Sequence, residues 1–173
     1  MPLGIREKEN QTQRRERYVM KRTEMQLQKE IKTSKFENVY QQAIVNVVFT
    51  YSWCNENFRQ LIQPYEITPQ QFNILRILRG QYPAPSTINL LKERMLDKMC
   101  DASRITERLV QKELVAKKIN PNDKRAVDIL ISDKGLSLLK KMDQELDLSA
   151  PASKNLTEEE ARLLNELLDK MRG

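Results

Sequence analysis

Apolar residues in the middle of the chain recur at steps of three and four, and then change abruptly to runs of β type. Between positions 36 and 62 they fall at Phe36, Val39, Tyr40, Ala43, Ile44, Val47, Val48, Tyr51, Cys54, Phe58, Leu61 and Ile62. That spacing predicts one long helix, from near Ser34, with a wide apolar face. Pro64 ends it, because proline has no N–H to continue the ladder. A second helix has a full set of start signals: Thr68 as N-cap, Pro69 at the first position, Gln71 as reciprocal cap, and Ile67 with Phe72 as a hydrophobic staple. It runs through Leu75 and Leu78 toward Gly80. After Tyr82-Pro83-Ala84-Pro85, Ser86 or Thr87 caps a short helix containing Ile88, Leu91 and Met95. A fourth helix covers about residues 101–112, with Ile105, Leu109 and Val110 inward.

The period then changes. Residues 114–119 and 126–131 are β-type runs around the turn-forming Asn120-Pro121-Asn122-Asp123, which predicts a hairpin. Ser132 caps a fifth helix with Leu139, Met142 and Leu146 inward. A linker over residues 149–153 leads to a capping box at Thr157 and Glu160. The last helix follows, carrying Leu164, Leu167, Leu168 and Met171. The predicted fold class is mainly α with a small β-hairpin: a winged helix-turn-helix flanked by N- and C-terminal helices. Residues 1–33 are polar and nearly empty of apolar side chains, so a disordered extension or a solvated helical arm is expected there. Residues 34–173 form the domain. Its helix-turn-helix covers about 86–112 and its wing about 114–131, with flanking helices over about 34–63 and 132–172.

Charge and composition narrow the function. Lys and Arg number 30 against 24 Asp and Glu, giving a net charge of +6 that suits a polyanionic partner, nucleic acid or an anionic surface. No stretch is apolar enough to span a bilayer, so no membrane role is expected, and the basic N-terminus lacks the apolar segment of a secretory signal. Two cysteines make neither a disulfide framework nor a metal site, and the compartment reads as cytoplasmic. With no histidine, the commonest general base and metal ligand is missing. No nucleophile–base pair, phosphate loop or metal cluster stands in its place, so neither an enzyme nor a cofactor is expected.

The segments ITPQQFNILRIL (67–78), LLKERMLDKMCDASRITERLVQKELV (90–115) and NPNDKRAVDILISDKG (120–135) resemble the multiple antibiotic resistance regulator (MarR) family. The resemblance implies a homodimer, with the helices over about 34–63 and 132–172 as N- and C-terminal dimerisation helices, presenting two winged helices to double-stranded DNA at a pseudo-palindromic operator. It further implies a transcriptional repressor released by a small aromatic effector or, in one branch, by thiol oxidation. A different class of reading is a winged-helix protein-interaction module without specific DNA binding. Two positions depart from the family pattern. Glu113 stands where the family usually has glycine at the end of the recognition helix, which predicts a differently shaped exit. Lys124 occupies the middle wing position where arginine is common, while Asp123 and Arg125 match the motif's fixed pair.

A recognition helix puts its N-terminal turns in the major groove, where arginine forks onto guanine and hydroxyls reach bases or phosphates. Ser103, Arg104, Thr106 and Arg108 are the candidate contacts on that helix. Lys98 at the helix junction and Thr87 at the start of the third helix are candidate phosphate contacts. At the wing tip, Asn122, Lys124 and Arg125 are placed for the minor groove, where negative potential concentrates. Asp123 is read as support for Arg125 or the turn. Tyr51, Trp53, Phe58 and Phe72, near Tyr40, supply aromatic surface for an effector pocket, or simply core. Cys54 falls on the apolar face of the first helix and is expected to be buried. Cys100 sits beside Lys98, whose charge is expected to lower its thiol pKa, making it the candidate redox thiol.

Overall fold

A computed structural model describes residues 27–32, 35–121, 124 and 126–173. The described residues fall into two compact units that divide between Trp53 and Cys54, inside the first long helix. That helix, α1, is Val39–Ile62. It starts after Asn38, whose side-chain oxygen accepts the Tyr40 and Gln41 N–H groups at 3.0 Å each. Pro64 falls in a single 3-10 turn, Gln63–Tyr65, which closes on Glu66 in the left-handed conformation. Helix α2, Pro69–Gln81, has the reciprocal Thr68–Gln71 capping box that its sequence predicts. Helix α3 is Ile88–Arg94 and α4 is Ala102–Gln111. Strands β1, Val115–Ile119, and β2, Val127–Ile131, pair antiparallel, with Val115 opposite Ile131 and Ile119 opposite Val127. Helix α5 is Asp133–Glu145.

The stretch predicted as a linker contains a further short helix, α6, Ala150–Ser153. The Asp147 carboxylate accepts the Ser149 N–H and hydroxyl, and Pro151 stands in the first turn, where its missing N–H costs nothing. Helix α7, Glu158–Arg172, opens with the Thr157–Glu160 capping box.

The core lies under α2. Ile74, Leu75 and Leu78 from α2 are fully buried or nearly so, as are Leu91, Leu109, Ile129, Leu139 and Met142. Met95, predicted inside α3, is its C-cap and is buried there. A backbone bridge joins Ser86 to Ile129 through hydrogen bonds of 2.9 and 2.8 Å, so the segment entering α3 lies against the hairpin. At the far end of α2, Arg76 and Arg79 both hold the Asp143 carboxylate of α5. By contrast, Val39, Tyr40, Ile44, Val48 and Tyr51 on α1 are exposed, as are Leu163, Leu164, Leu167 and Met171 on α7. Cys54, expected to be buried, is exposed as well, because the face of α1 that carries it is uncovered in the single chain. Among the described residues no helix is long and apolar enough to cross a membrane.

Candidate nucleic-acid interface

Helix α4 is capped by Asp101, whose carboxylate accepts the Arg104 N–H at 3.1 Å. Its buried stripe is Ala102, Thr106 and Leu109, at steps of four and three. The opposite face leaves Ser103, Arg104, Glu107 and Arg108 exposed. Three of the four predicted α4 contacts therefore share one open face. Thr106 does not. It is fully buried and its hydroxyl donates to the Ala102 carbonyl at 2.7 Å, so it packs the helix and cannot reach DNA. The Ile105 and Val110 flanks, predicted inward, are only partly buried.

The exit of α4 is where the sequence departs from the pattern it resembles, yet the backbone keeps the left-handed turn. Glu113 has φ 60°, the Glu113 N–H reaches the Val110 carbonyl at 2.8 Å, and the Leu114 N–H reaches the Leu109 carbonyl at 3.0 Å. That pair of bonds is a Schellman closure, normally made with glycine. The expectation of a differently shaped exit is thus corrected: the two crossed bonds hold the shape despite the Cβ. Lys134 pairs with the Glu113 carboxylate at 2.7 Å and holds its carboxyl below the usual range.

On the hairpin, the side chain of Lys117 is tied to Glu107 of α4, while Lys118 is exposed on β1. Lys118 went unassigned in the sequence, although a lysine pair inside the β-type run 114–119 was an available signal of a basic hairpin. The Asn120 amide donates to Asp128 at 2.9 Å across the base of the loop. Lys124 is exposed at the loop; Asn122, Asp123 and Arg125 lie outside the described residues. Thr87 is exposed and caps α3, its hydroxyl oxygen accepting the Leu90 N–H at 3.2 Å. Lys98 is exposed too, with its ammonium on the Glu93 carbonyl.

The aromatic candidates separate. Phe58 and Phe72 meet edge to face, with centroids 5.2 Å apart, and Phe72 is in the core. Tyr51 and Trp53 are exposed in the other compact unit. None of the four lines the open recess of about 460 Å³ bounded by Asn55, Arg59, Gln63, Ile67 and the start of α2. A smaller recess, about 270 Å³, lies between the start of α2 and α4, beside Arg104 and Arg108. Cys100 is half-buried. Its thiol donates to the Asp97 carbonyl at 2.9 Å, and burial, followed by the Asp97 charge, pushes its pKa up. The expected lowering by Lys98 is therefore reversed: the Lys98 ammonium is engaged by the Glu93 carbonyl, and burial, with the Asp97 charge behind it, dominates.

The family model "MarR family" matches residues 67–127. The multiple antibiotic resistance protein MarR of Escherichia coli is 32% identical over 114 residues, covering 65% of this chain and 78% of that protein. The transcriptional regulator MhqR of Bacillus subtilis is 25% identical over 123 residues, covering 70% and 83%. Among solved structures, a mutant MarR from E. coli complexed with operator DNA is similar at a TM-score of 0.70 and 28% identity. That match covers 80% of this chain and 99% of the other.

Proposed function

This chain belongs to the MarR family of winged-helix transcriptional regulators and is not an enzyme, and we propose that it acts as a homodimer on a pseudo-palindromic site in double-stranded DNA, repressing transcription in the cytoplasm until a small aromatic effector releases it. The observation that carries the reading is the open face of α4, where Ser103, Arg104 and Arg108 stand exposed on a helix whose other side is sealed in the core. Arg104 and Arg108 read base edges or phosphates in the major groove. Lys98, Thr87 and Lys118 meet flanking phosphates. Lys124 and Arg125, with Asn122 and the supporting Asp123, form the minor-groove contact. The bare apolar faces of α1 and α7 support pairing of two copies, since large uncovered apolar surface marks an interface. The effector reading rests on the recess beside Arg59 and Ile67, whose volume falls in the range of small-molecule sites.

The test is a titration of the full chain against DNA from its own promoter at several salt concentrations. A dimer making about 6–10 phosphate contacts loses roughly 10³–10⁵ in affinity between about 50 and 200 mM salt. Arg104→Ala is expected to cost about 1–3 kcal/mol and relax base preference, and Arg125→Ala to weaken binding with the dimer intact. Weak binding that is indifferent to sequence and salt would leave a protein-interaction module as the better account.

A further inference from the structure

The junction between α4 and α5 is tighter than a chain reversal requires. Besides the helical bond its carbonyl accepts from Leu136, Ser132 makes three hydrogen bonds there. Its hydroxyl donates to the Glu113 carbonyl at 2.7 Å and accepts the Gly135 N–H at 3.0 Å, and its own N–H donates to the Leu114 carbonyl at 3.1 Å. One side chain thus caps the start of α5 and grips the residue that turns out of α4. The approach is close enough that a Cβ on Gly135 would stand 2.4 Å from the Leu114 carbonyl oxygen, a backbone atom that cannot give way. Glu113, held left-handed at φ 60°, is also paired with Lys134 of α5. A non-glycine residue persists at such φ only when its surroundings over-determine it.

We infer that Ser132 and Glu113 form a positioning joint that fixes the orientation of the DNA-reading helix α4 against α5, and thereby sets the half-site spacing the dimer accepts. This rests on the DNA-reading role proposed above. The end of α5 nearer α6 is braced separately, through Asp143 and the two α2 arginines, so the joint is what governs the end that meets α4. A half-site moved by one base pair turns by about 34° around the duplex, which a rigid reader detects and a hinged one tolerates.

The experiment uses the full-length protein and a duplex it selects from a random pool, with the spacer lengthened or shortened by one base pair. Ser132→Thr keeps both hydroxyl roles. Ser132→Asp keeps the cap on Gly135 but cannot donate to Glu113. Glu113→Gly keeps the left-handed turn but drops the ion pair and frees the backbone. The parent and Ser132→Thr should prefer the selected spacing by about tenfold or more. Ser132→Asp should fall to about threefold or less, and Glu113→Gly part of the way, with melting temperatures near the parent's. The two variants change net charge in opposite directions, so a shared loss of spacing preference is not a charge effect. Spacing profiles identical to the parent's in both would overturn the joint. A parent that selects no sequence from the pool would instead overturn the DNA reading itself. If Ser132→Asp melts early, the Glu113→Gly profile decides.

Discussion

The winged-helix core and the long first helix carry apolar residues of the same kind at the same helical spacing, yet only one of them closes within a single chain. Leu75, Leu91, Leu109, Ile129 and Leu139 reach complete burial because helices and hairpin converge on α2 from several sides. On α1, Val48 is 60% exposed and Tyr51 64%, and α7 contains no buried residue at all. Periodicity therefore reports that a face needs cover without reporting what covers it. In the core the cover is the rest of the chain. For α1 and α7 a second copy is the proposed cover.

That contrast can be broken by substitution. Leu139→Ala removes a side chain with no exposed surface and is expected to lower folding stability by about 2–5 kcal/mol, measured by denaturant unfolding. The loss should persist at any protein concentration. Val48→Glu is expected to act in the opposite manner. It should leave the unfolding of the isolated chain within about 0.5 kcal/mol of the parent. It should also weaken self-association by about tenfold or more in sedimentation, since a charge at an apolar contact must be desolvated. A Val48→Glu chain that unfolds early but still pairs would show that α1 is covered from within.

The smallest effect sharpens the boundary of the self-sufficient region. The Arg79 guanidinium, hydrogen-bonded to Asp143 and aided by Arg76, holds that carboxyl below its usual range. A folded-state pKa below the unfolded value stabilises the fold above about pH 4 and loses that contribution as pH falls through the folded value. Asp143→Asn should cost about 0.5–1 kcal/mol at neutral pH, a modest figure because the ion pairs are partly open to solvent. The difference between parent and variant should close below about pH 4. A difference that survives there would assign Asp143 a role other than its charge.

Much of the architecture was legible because its causes are local. Thr68 with Gln71 and Thr157 with Glu160 bond across three residues, so the start of a helix is written where it occurs. The switch to β-type runs at Leu114 likewise marked the hairpin, and the pattern on α4 placed Ser103, Arg104 and Arg108 outward. The candidate site was less legible where its residues depend on distant partners. Thr106 is a polar residue between Ala102 and Leu109 on the buried stripe, and only the packing of α4 on the core shows its hydroxyl turned inward. Cys100 was read from the charge beside it in sequence, whereas burial and, after it, Asp97 set its thiol.

The sequence alone determined the order of elements, their caps and the face each helix must bury, since these follow from backbone hydrogen bonds and side-chain spacing over a few residues. Only the tertiary structure decided that Glu113 keeps a glycine's conformation. The residues that hold it, Ser132 and Lys134, lie about twenty positions further along, across the hairpin that brings them back.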